Sequence, residues 1–286
     1  MKIAVASGKG GTGKTTVALA LAEAAATGVC LLDCDVEEPN CRLFAPAETV
    51  SEPVGIPMPV IDSARCNGCG ECARICRFHA IAALKQKVLL FPELCHGCGG
   101  CSRICPTGAL TEQPRPIGET GLSNNGGFPL LDGRLGIGQT MAPPLIRAVK
   151  DQGAQLKETE LAIIDCPPGT ACPMVTAVRG VDFVLLVTEP TPFGLHDLKL
   201  AVEALKELSL PAGVIINRAD SGDGRVRRYC MLEAHIPILL EIPARRDIAE
   251  AYSRGETLLQ AAPDLKPAFK KVLVSIREMT TKEAVR

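Results

Sequence analysis

Short apolar runs alternate with longer segments of helical periodicity along most of the chain. The runs lack the polar alternation of half-exposed strands, so they predict strands buried on both faces. They span residues 3–6, 29–32, 161–164, 183–187, 214–216 and 238–242. The helical segments span residues 15–27, 144–157, 195–208 and 265–278. This alternation predicts an α/β fold with a mostly parallel sheet flanked by helices.

A cysteine repeat interrupts this alternation between residues 61 and 112. Prolines flank the repeat, and we interpret them as the boundaries of an insertion. They are Pro53, Pro57 and Pro59 before the repeat and Pro114 and Pro116 after it. We expect a discontinuous α/β domain over residues 1–60 and 113–286, with an inserted module over residues 61–112. The glycine-rich segment 118–138 predicts a hairpin or a mobile loop.

The repeat is one pattern, C-x2-C-x2-C-x3-C, written twice at an offset of 29 residues. Its cysteines are Cys66, Cys69, Cys72 and Cys76 in the first copy and Cys95, Cys98, Cys101 and Cys105 in the second. This is the ligand spacing of ferredoxins with two [4Fe–4S] clusters, whereas zinc ribbons use paired C-x2-C knuckles. The spacing predicts a small ferredoxin-like α+β module. A purely structural role for its clusters stays open, because metal bonds also stabilise small modules.

In two-cluster ferredoxins, the fourth cysteine of each copy ligates the cluster of the other copy. By that analogy, one cluster takes Cys66, Cys69, Cys72 and Cys105, and the other takes Cys95, Cys98, Cys101 and Cys76. Such crossing ties the two copies together, and the metal–ligand bonds supply folding free energy to a segment with little apolar core. Arg77 follows Cys76 where Pro106 follows Cys105, a difference that could alter the potential or exposure of one cluster.

Residues 8–15 match the pattern G-x4-G-K-[ST] between a predicted strand and a predicted helix, which is the context of a P-loop. Its glycines let backbone N–H groups surround phosphate oxygens, and the helix N-terminus adds partial positive charge. Lys14 is expected to reach the β- and γ-phosphates, and the Thr15 hydroxyl to bind Mg²⁺. The alternative is a glycine turn without a ligand. The predicted nucleotide-binding residues of the loop are Gly8, Lys9, Gly10, Gly11, Thr12, Gly13, Lys14, Thr15 and Thr16.

The stretch KGGTGKT at residues 9–15 resembles the deviant Walker A motif of the MinD/Mrp superfamily. That superfamily includes MinD, the nitrogenase iron protein and the Mrp-type iron–sulfur carriers. The whole chain resembles its members with an inserted two-cluster ferredoxin domain. The resemblance implies an ATPase that forms an ATP-dependent homodimer, or a heterodimer with a paralogue. Lys9 would be the signature lysine, which contacts the nucleotide held by the partner subunit.

Three further matches follow the order of the superfamily's motifs. The sequence DCD at 33–35 is similar to switch I, where Asp35 would position or polarise the attacking water. The sequence DCPPG at 165–169 is similar to Walker B and switch II. Asp165 would hold Mg²⁺ through water and Gly169 would sense the γ-phosphate. Asn217 would read adenine, while Asp33 by itself is interpreted as an ordinary strand-end residue. The catalytic residues are then Lys9, Lys14, Asp35 and Asp165.

The amino-acid composition argues against nucleic acid and membrane as binding partners. Aromatic residues make up 3% of the chain, tryptophan is absent and the net charge is −1, which argues against nucleic acid binding because stacking platforms and phosphate contacts are scarce. No stretch of about 18 apolar residues occurs, so we expect no membrane span. We expect the apolar residues of the C-terminal segment to pack on the sheet, without membrane contact; they are Leu265, Phe269, Val272, Leu273 and Ile276.

Cysteine usage points to a reducing compartment. The chain has 14 cysteines, and no signal peptide precedes the first predicted strand, so we expect a cytoplasmic protein. The cysteines outside the repeat are interpreted as buried small hydrophobes. They are Cys30, Cys34, Cys41, Cys166, Cys172 and Cys230. A metal or cluster that bridges subunits at Cys34 and Cys166 is the alternative.

Three functions are compatible with a nucleotide switch and two redox clusters in one chain. The first is an ATPase that couples the nucleotide state of a dimer to electron transfer, with ATP, Mg²⁺ and two [4Fe–4S] clusters as cofactors. The second is an iron–sulfur or metal-cofactor assembly ATPase, which is weakened because no C-x-x-C pair occurs outside the module. The third is a MinD-like positioning ATPase in a multiprotein complex. The first two imply an unidentified redox or metal-cofactor partner protein.

Overall fold

One large, mostly parallel sheet forms the frame of the fold. The computed structural model describes residues 1–25, 27–44, 47–85, 87–124 and 127–284. Its strands are β1 (Lys2–Ala6), β2 (Val29–Asp33), β3 (Thr49–Ile61), β4 (Ile81–Leu84), β5 (Lys87–Leu90), β6 (Leu110–Asn124), β7 (Pro129–Leu135), β8 (Leu161–Asp165), β9 (Phe183–Thr188), β10 (Ala212–Asn217) and β11 (Ile238–Ile242). The large sheet has the order β11-β10-β9-β1-β8-β2-β7-β6-β3. The strands from β11 to β7 are parallel, and β6 and β3 add an antiparallel edge.

Helices cover both faces of the parallel part of the sheet. The α-helices among the described residues are α1 (Lys14–Ala25), α2 (Cys41–Phe44), α3 (Glu71–Ile75), α4 (Gly100–Ile104), α5 (Ala142–Gly153), α6 (Cys172–Val178), α7 (Pro192–Glu207), α8 (Arg225–Arg228), α9 (Arg246–Ser253), α10 (Leu258–Ala261) and α11 (Lys266–Ala284). Of these, α3 and α4 belong to the cysteine repeat and not to the layers on the sheet. Alternate residues of β1 enter opposite layers, with Ala4 packed beneath α5, α6 and α7 and Ile3 beneath α1 and α11. Because both faces are buried, these strands are apolar throughout, as the sequence predicts.

The six predicted strands and four predicted helices are all present. The strands differ from their predicted bounds by at most two residues and the four helices by up to six. Residue 26 of the first predicted helix and residues 125 and 126 of the glycine-rich segment lie outside the described residues. The described parts of that segment belong to β6 and β7, which pair antiparallel, so the prediction of a hairpin is confirmed.

The flanking prolines lie inside long strands, so they are not unpaired boundary segments. β3 and β6 pair antiparallel from Thr49↔Ser123 to Ile61↔Leu110. Beyond the contact of β6 with β7, which begins at Gly118, this pair is a two-stranded ribbon. Pro57 lies opposite Pro114 there, at a place where each strand has only one neighbour and an absent N–H is tolerated. The predicted division of the chain at residues 60/61 and 112/113 falls at the end of this ribbon.

The cysteine repeat lies at the tip of the ribbon. It contains α3, α4 and the separate hairpin of β4 and β5. Among the described residues, its hydrophobic core has just three buried members, Cys72, Ile81 and Leu110. So small a core contributes little to folding. Three of the four predicted ligand cysteines in each copy are at least partly exposed.

The C-terminal helix α11 packs on the sheet through one apolar face. Phe269, Val272, Leu273 and Ile276 are buried in the same layer as α1, and Leu265 packs partly buried against that layer. The expected packing of this segment is therefore confirmed. In the part of the chain that the structure describes, no helix has both the length and the apolar content needed to cross a bilayer.

Candidate functional site

The P-loop joins β1 to α1, and Lys14 opens the helix. Gly11 and Gly13 adopt φ values of 78° and 95°, a conformation that residues with a Cβ rarely adopt. At Gly13 a Cβ would also lie 2.6 Å from the side-chain nitrogen of Asn217. That nitrogen donates a hydrogen bond to the Thr12 carbonyl at 2.9 Å. Glycine therefore sets the shape of the loop at two positions, and Asn217 fixes the loop to the end of β10.

A cavity of about 690 Å³ opens over the loop, a volume typical of small-molecule sites. The predicted nucleotide-binding residues that line it are Gly10, Gly11, Gly13, Lys14, Thr15, Thr16 and Asn217. The remaining three, Gly8, Lys9 and Thr12, line a smaller cavity behind the loop. Phe44 and Tyr252 form another wall of the large cavity, with ring centroids 5.0 Å apart. The large cavity is therefore bordered by both the P-loop and an aromatic wall.

Two buried carboxylates stand side by side where neighbouring strands end. Asp33 and Asp165 are register partners on β2 and β8, and each is at most 1% exposed. The Thr15 hydroxyl donates to Asp165 Oδ2 at 2.6 Å. Asp33 accepts hydrogen bonds from the backbone N–H groups of Asp35 at 3.1 Å and Cys41 at 3.0 Å. Asp33 thus lies at the end of its strand, as predicted, and beside Asp165 in a buried acid cluster.

Crowding and burial raise the pKa values of these acids. Burial, reinforced by the charge of Asp165, raises the pKa of Asp33 well above its usual range. Burial and the same neighbour raise the pKa of Asp35 to about 7, against the opposing charge of Lys14. Burial raises the pKa of Asp165 to about 6, although the Thr15 hydrogen bond and Lys14 oppose it. Acids that titrate near neutrality can exchange protons or respond to a bound cation.

Lys9 is held by an acid of its own chain. Its ammonium lies 3.6 Å from Glu189 Oε2, and Arg218 donates to Glu189 Oε1 at 2.6 Å. Glu189 directly follows β9 and is 9% exposed. Behind the loop, the Gly169 N–H donates to the Ser7 carbonyl at 3.0 Å. Sequence reasoning assigned no role to Glu189 or Arg218, because neither belongs to the P-loop pattern.

The eight cysteines of the repeat line two separate cavities. One cavity is lined by Cys66, Cys69, Cys72 and Cys105, and the other by Cys76, Cys95, Cys98 and Cys101. Each set takes three cysteines from one copy and the fourth from the other copy, which is the crossed grouping that the ferredoxin analogy implies. All eight are free thiols. Their ligation of a metal stays a prediction.

The two copies of the repeat have the same backbone conformation. The short helices α3 and α4 begin after Gly70 and Gly99, whose φ values are 77° and 71°. Gly68 and Gly97, two residues earlier, have φ values of 71° and 62°. These four glycines adopt the left-handed conformation that glycine permits. The duplicated sequence therefore folds twice into the same loop and helix turn.

Five of the six other cysteines are buried, as predicted, and Cys172 is exposed. The prediction is wrong at Cys172 because this residue opens α6 at the surface. Cys41 is more than a packing residue, since its Sγ lies 3.7 Å from Asp165 Oδ2. No sequence pattern marks Cys41; only the register of β2 and β8 brings the acids to it.

Comparisons with known proteins agree with this architecture. Residues 3–258 match the CobQ/CobB/MinD/ParA nucleotide binding domain family, CbiA. Two uncharacterized proteins of Methanocaldococcus jannaschii are similar to this chain: one is 30% identical over 266 residues, 91% of this chain and 92% of that protein, and the other is 34% identical over 249 residues, 85% and 86%. An iron-sulfur cluster carrier protein of Aquifex aeolicus is 30% identical over 135 residues, 42% of this chain and 36% of that protein.

Among solved structures, the cell division ATPase MinD of Pyrococcus furiosus shares the fold with a TM-score of 0.56 at 21% identity, over 97% of this chain and 98% of that one. The parallel sheet with a P-loop after its first strand thus defines a P-loop ATPase. The chain belongs to the CobQ/CobB/MinD/ParA nucleotide binding domain family, the family of the MinD-type ATPases.

Proposed function

We propose that this ATPase couples the nucleotide state of a dimer to electron transfer through two [4Fe–4S] clusters. The observation that carries the proposal is the pair of four-cysteine cavities on the same chain as the P-loop cavity. In an ATPase with a redox module, ATP hydrolysis could control electron transfer through that module. A nucleotide site alone would fit many functions of the family.

At the nucleotide site, Lys14 would neutralise the β- and γ-phosphates and Asn217 would contact adenine. Mg²⁺ would be held by the Thr15 hydroxyl directly and by Asp165 through water. The donor set fits a hard cation, because these groups offer oxygen ligands and Asp165 Oδ1 is buried without a hydrogen-bond donor among the described residues. Asp35 lines the same cavity and would orient the attacking water.

At the tip of the ribbon, each set of four thiols would hold one [4Fe–4S] cluster. The donor set fits, because each cavity is lined by the four cysteines that such a cluster requires. When bound, each cluster would accept or donate one electron. The surrounding residues set its exposure: the rings of Phe78 and His96 stack 3.5 Å apart beside the second cavity, and Phe78 is 39% exposed.

Dimer formation would connect the two halves of the function. In the single chain, Glu189 holds Lys9, and Arg218 binds the other oxygen of the same carboxylate. Lys9 could move from Glu189 to the nucleotide of a partner subunit. The buried Glu189 carboxylate would then still be paired, because Arg218 would remain bound to it. Closure of the dimer would then reposition the ribbons and their clusters against an electron donor or acceptor.

A second candidate is an iron–sulfur assembly or carrier ATPase. It is supported by the 30% identity over 135 residues to an iron-sulfur cluster carrier protein. In this case the clusters would be labile cargo. The same thiols would hold them, but ATP would control their release and not their redox state.

Two measurements on anaerobically purified protein test the proposal. Iron and sulfide analysis should give about eight iron atoms per chain, the content of two cubes. Incubation with an apo-ferredoxin acceptor, with and without Mg-ATP, should leave that iron in place. A reproducible content of four iron atoms, or of zinc in place of the iron, in folded protein would contradict the two-cluster proposal. ATP-dependent loss of iron to the acceptor would favour the carrier.

A further inference from the structure

Three metal-ligating side chains meet in the buried wall behind the P-loop. They are Asp33, Cys41 and Asp165, and one ligand atom from each lies within 4.8 Å of the other two. Asp33 and Cys41 are 0% exposed and Asp165 is 1% exposed. Their positions are fixed by the fold, because the acids are register partners on β2 and β8 and Cys41 opens α2 immediately beyond the switch I segment.

The contacts inside the cluster leave it short of positive charge. The Cys41 N–H donates to Asp33 Oδ2 at 3.0 Å, and the Cys41 Sγ lies 3.7 Å from Asp165 Oδ2. Asp165 Oδ1 is buried and accepts no hydrogen bond among the described residues. Buried carboxylates are costly unless they are paired or bind a cation, and an unpartnered buried oxygen calls for an explanation. A cation bound to the Asp165 carboxylate would compensate its buried negative charge.

We infer that Asp33, Cys41 and Asp165 form a binding site for a thiophilic divalent cation such as Zn²⁺. Mg²⁺ prefers oxygen ligands only, whereas a thiolate with two carboxylates is a donor set that zinc accepts. The three side chains leave a fourth tetrahedral position for water or for an oxygen ligand from the P-loop. On binding, the Cys41 thiol would lose its proton to solvent and its sulfur would bond to the cation.

The geometry needs little adjustment. Zinc bonds of about 2.3 Å to sulfur and about 2.0–2.2 Å to oxygen place tetrahedral ligands about 3.3–3.7 Å apart. The 3.7 Å between Cys41 Sγ and Asp165 Oδ2 already has this value. The remaining separations, which stay within 4.8 Å, shorten by small side-chain rotations. The cation can enter from the large cavity, because Thr15 lines that cavity and contacts Asp165.

Occupation of this site would oppose the nucleotide reaction, a consequence that rests on the proposed function. Zinc bound to Asp165 would weaken the affinity of this carboxylate for the Mg²⁺ of the nucleotide, because both cations would share one negative charge. The thiophilic cation would therefore act as an inhibitor that competes with Mg²⁺ at the switch.

The test is zinc binding to the anaerobic protein with its clusters in place, in excess Mg²⁺ and without nucleotide. Equilibrium dialysis should give one tightly bound Zn²⁺ per chain while the iron content is unchanged. X-ray absorption at the zinc edge, which does not detect iron, should give one sulfur at about 2.3 Å and oxygens at about 2.0–2.2 Å. No saturable binding, a shell of sulfur alone from displaced iron, or a shell without sulfur would each overturn the inference.

Substitutions locate the site. Cys41→Ser should weaken zinc binding at least about tenfold, since loss of even an outer partner of a ligand typically costs that much. The control is Cys230→Ser, which removes a buried thiol near the start of β11, away from the acids, and should leave zinc binding unchanged. Equal affinity in Cys41→Ser and wild type would contradict the assignment. If Cys41→Ser fails to fold, the zinc-edge spectrum of the wild type decides. Because the assay contains no ATP and monitors iron separately, its failure is distinguishable from failure of the proposed function.

Discussion

At the scale of single residues, the site depends on acids that the fold buries against one another. Asp33 and Asp165 end adjacent strands, and Asp35 stands two residues further along the chain. Burial raises the pKa values of all three carboxyls, and the charge of Asp165 adds to the effect at Asp33 and Asp35. Such a cluster lowers the stability of the unliganded protein, and a bound cation restores it. Functional sites commonly carry this kind of cost in stability.

The pKa of Asp35, raised to about 7 mainly by burial, predicts the pH dependence of an Asp35→Asn variant. Between about pH 4 and pH 7 the Asp35 carboxyl keeps its proton in the folded state but loses it in the unfolded state, where its pKa is near 3.9. The free energy of unfolding of the wild type therefore falls as the pH rises through this range. Without nucleotide, Asp35→Asn should melt higher than wild type at pH 8, by roughly 2–4 °C per kcal/mol gained. The gain should vanish below about pH 4.

Thermal unfolding followed by circular dichroism measures this difference. Asp151→Asn on the exposed side of α5 is the matched control and should change the melting temperature little at any pH. An Asp35→Asn variant that melts lower than wild type at pH 8 would contradict the assigned environment.

Lys14 carries a second prediction at this scale. Lys14→Ala should lower the rate of ATP hydrolysis at least about 100-fold, because it removes a charge placed against the transferred phosphoryl group. Iron content should be unchanged, since the ribbon separates the repeat from the loop. Lys199→Ala, which removes an exposed lysine paired with Glu233 at 3.4 Å, should hydrolyse ATP within about twofold of wild type. Near-normal turnover in Lys14→Ala would refute the site.

At the scale of elements, the duplicated loop is the part whose structure most constrains its chemistry. Each copy presents three cysteines to one cavity and sends the fourth to the other cavity. The apolar core between the copies is so small that the proposed clusters would supply much of the folding free energy.

Paired substitutions distinguish crossed from uncrossed ligation. Cys76→Ser with Cys95→Ser removes two ligands of one cluster if the ligation is crossed, so about four iron atoms per chain should remain. Cys66→Ser with Cys76→Ser removes one ligand from each cluster, so close to none should remain. The two variants have equal numbers of substitutions and serve as controls for each other. The opposite pattern in iron analysis of anaerobic protein would establish uncrossed ligation.

Element by element, the sequence predicts the parallel strands and long helices because burial on both faces leaves an apolar signature. It fails for the ribbon of β3 and β6, whose prolines are typical of loops. Pro57 and Pro114 are tolerated only because they face each other where neither strand has a second neighbour. The sequence also does not predict two contacts at the site, because strand register and tertiary packing create them. They are the contact of the Cys41 thiol with Asp165 and the ion pair of Lys9 with Glu189.

At the scale of the whole molecule, the proposed function requires a partner subunit. Lys9 is held by Glu189 within the chain and does not line the large cavity, so its proposed contact with nucleotide would be made across an interface. The P-loop and the cysteine cavities belong to different parts of the chain, and closure of a dimer would transmit the nucleotide state between them.

Lys9→Gln should therefore separate nucleotide binding from dimer formation. With Mg²⁺ and a non-hydrolysable ATP analogue, analytical ultracentrifugation should show a wild-type dimer and a monomeric variant. The variant should still bind the analogue within a few-fold of wild type, because its own cavity is intact. Lys199→Gln provides the exposed-lysine control and should dimerise normally. A Lys9→Gln variant that dimerises as well as wild type would contradict the role of Lys9.

The most direct test of the central claim is anaerobic reduction of the protein, followed by its visible and electron paramagnetic resonance spectra, with and without Mg-ATP. We expect two reducible [4Fe–4S] clusters whose reduction rate or midpoint potential changes when ATP is added, and no such change in Lys14→Ala. Clusters that are reduced identically in both conditions would contradict the coupling of nucleotide state to electron transfer, and a colourless protein would contradict the clusters themselves.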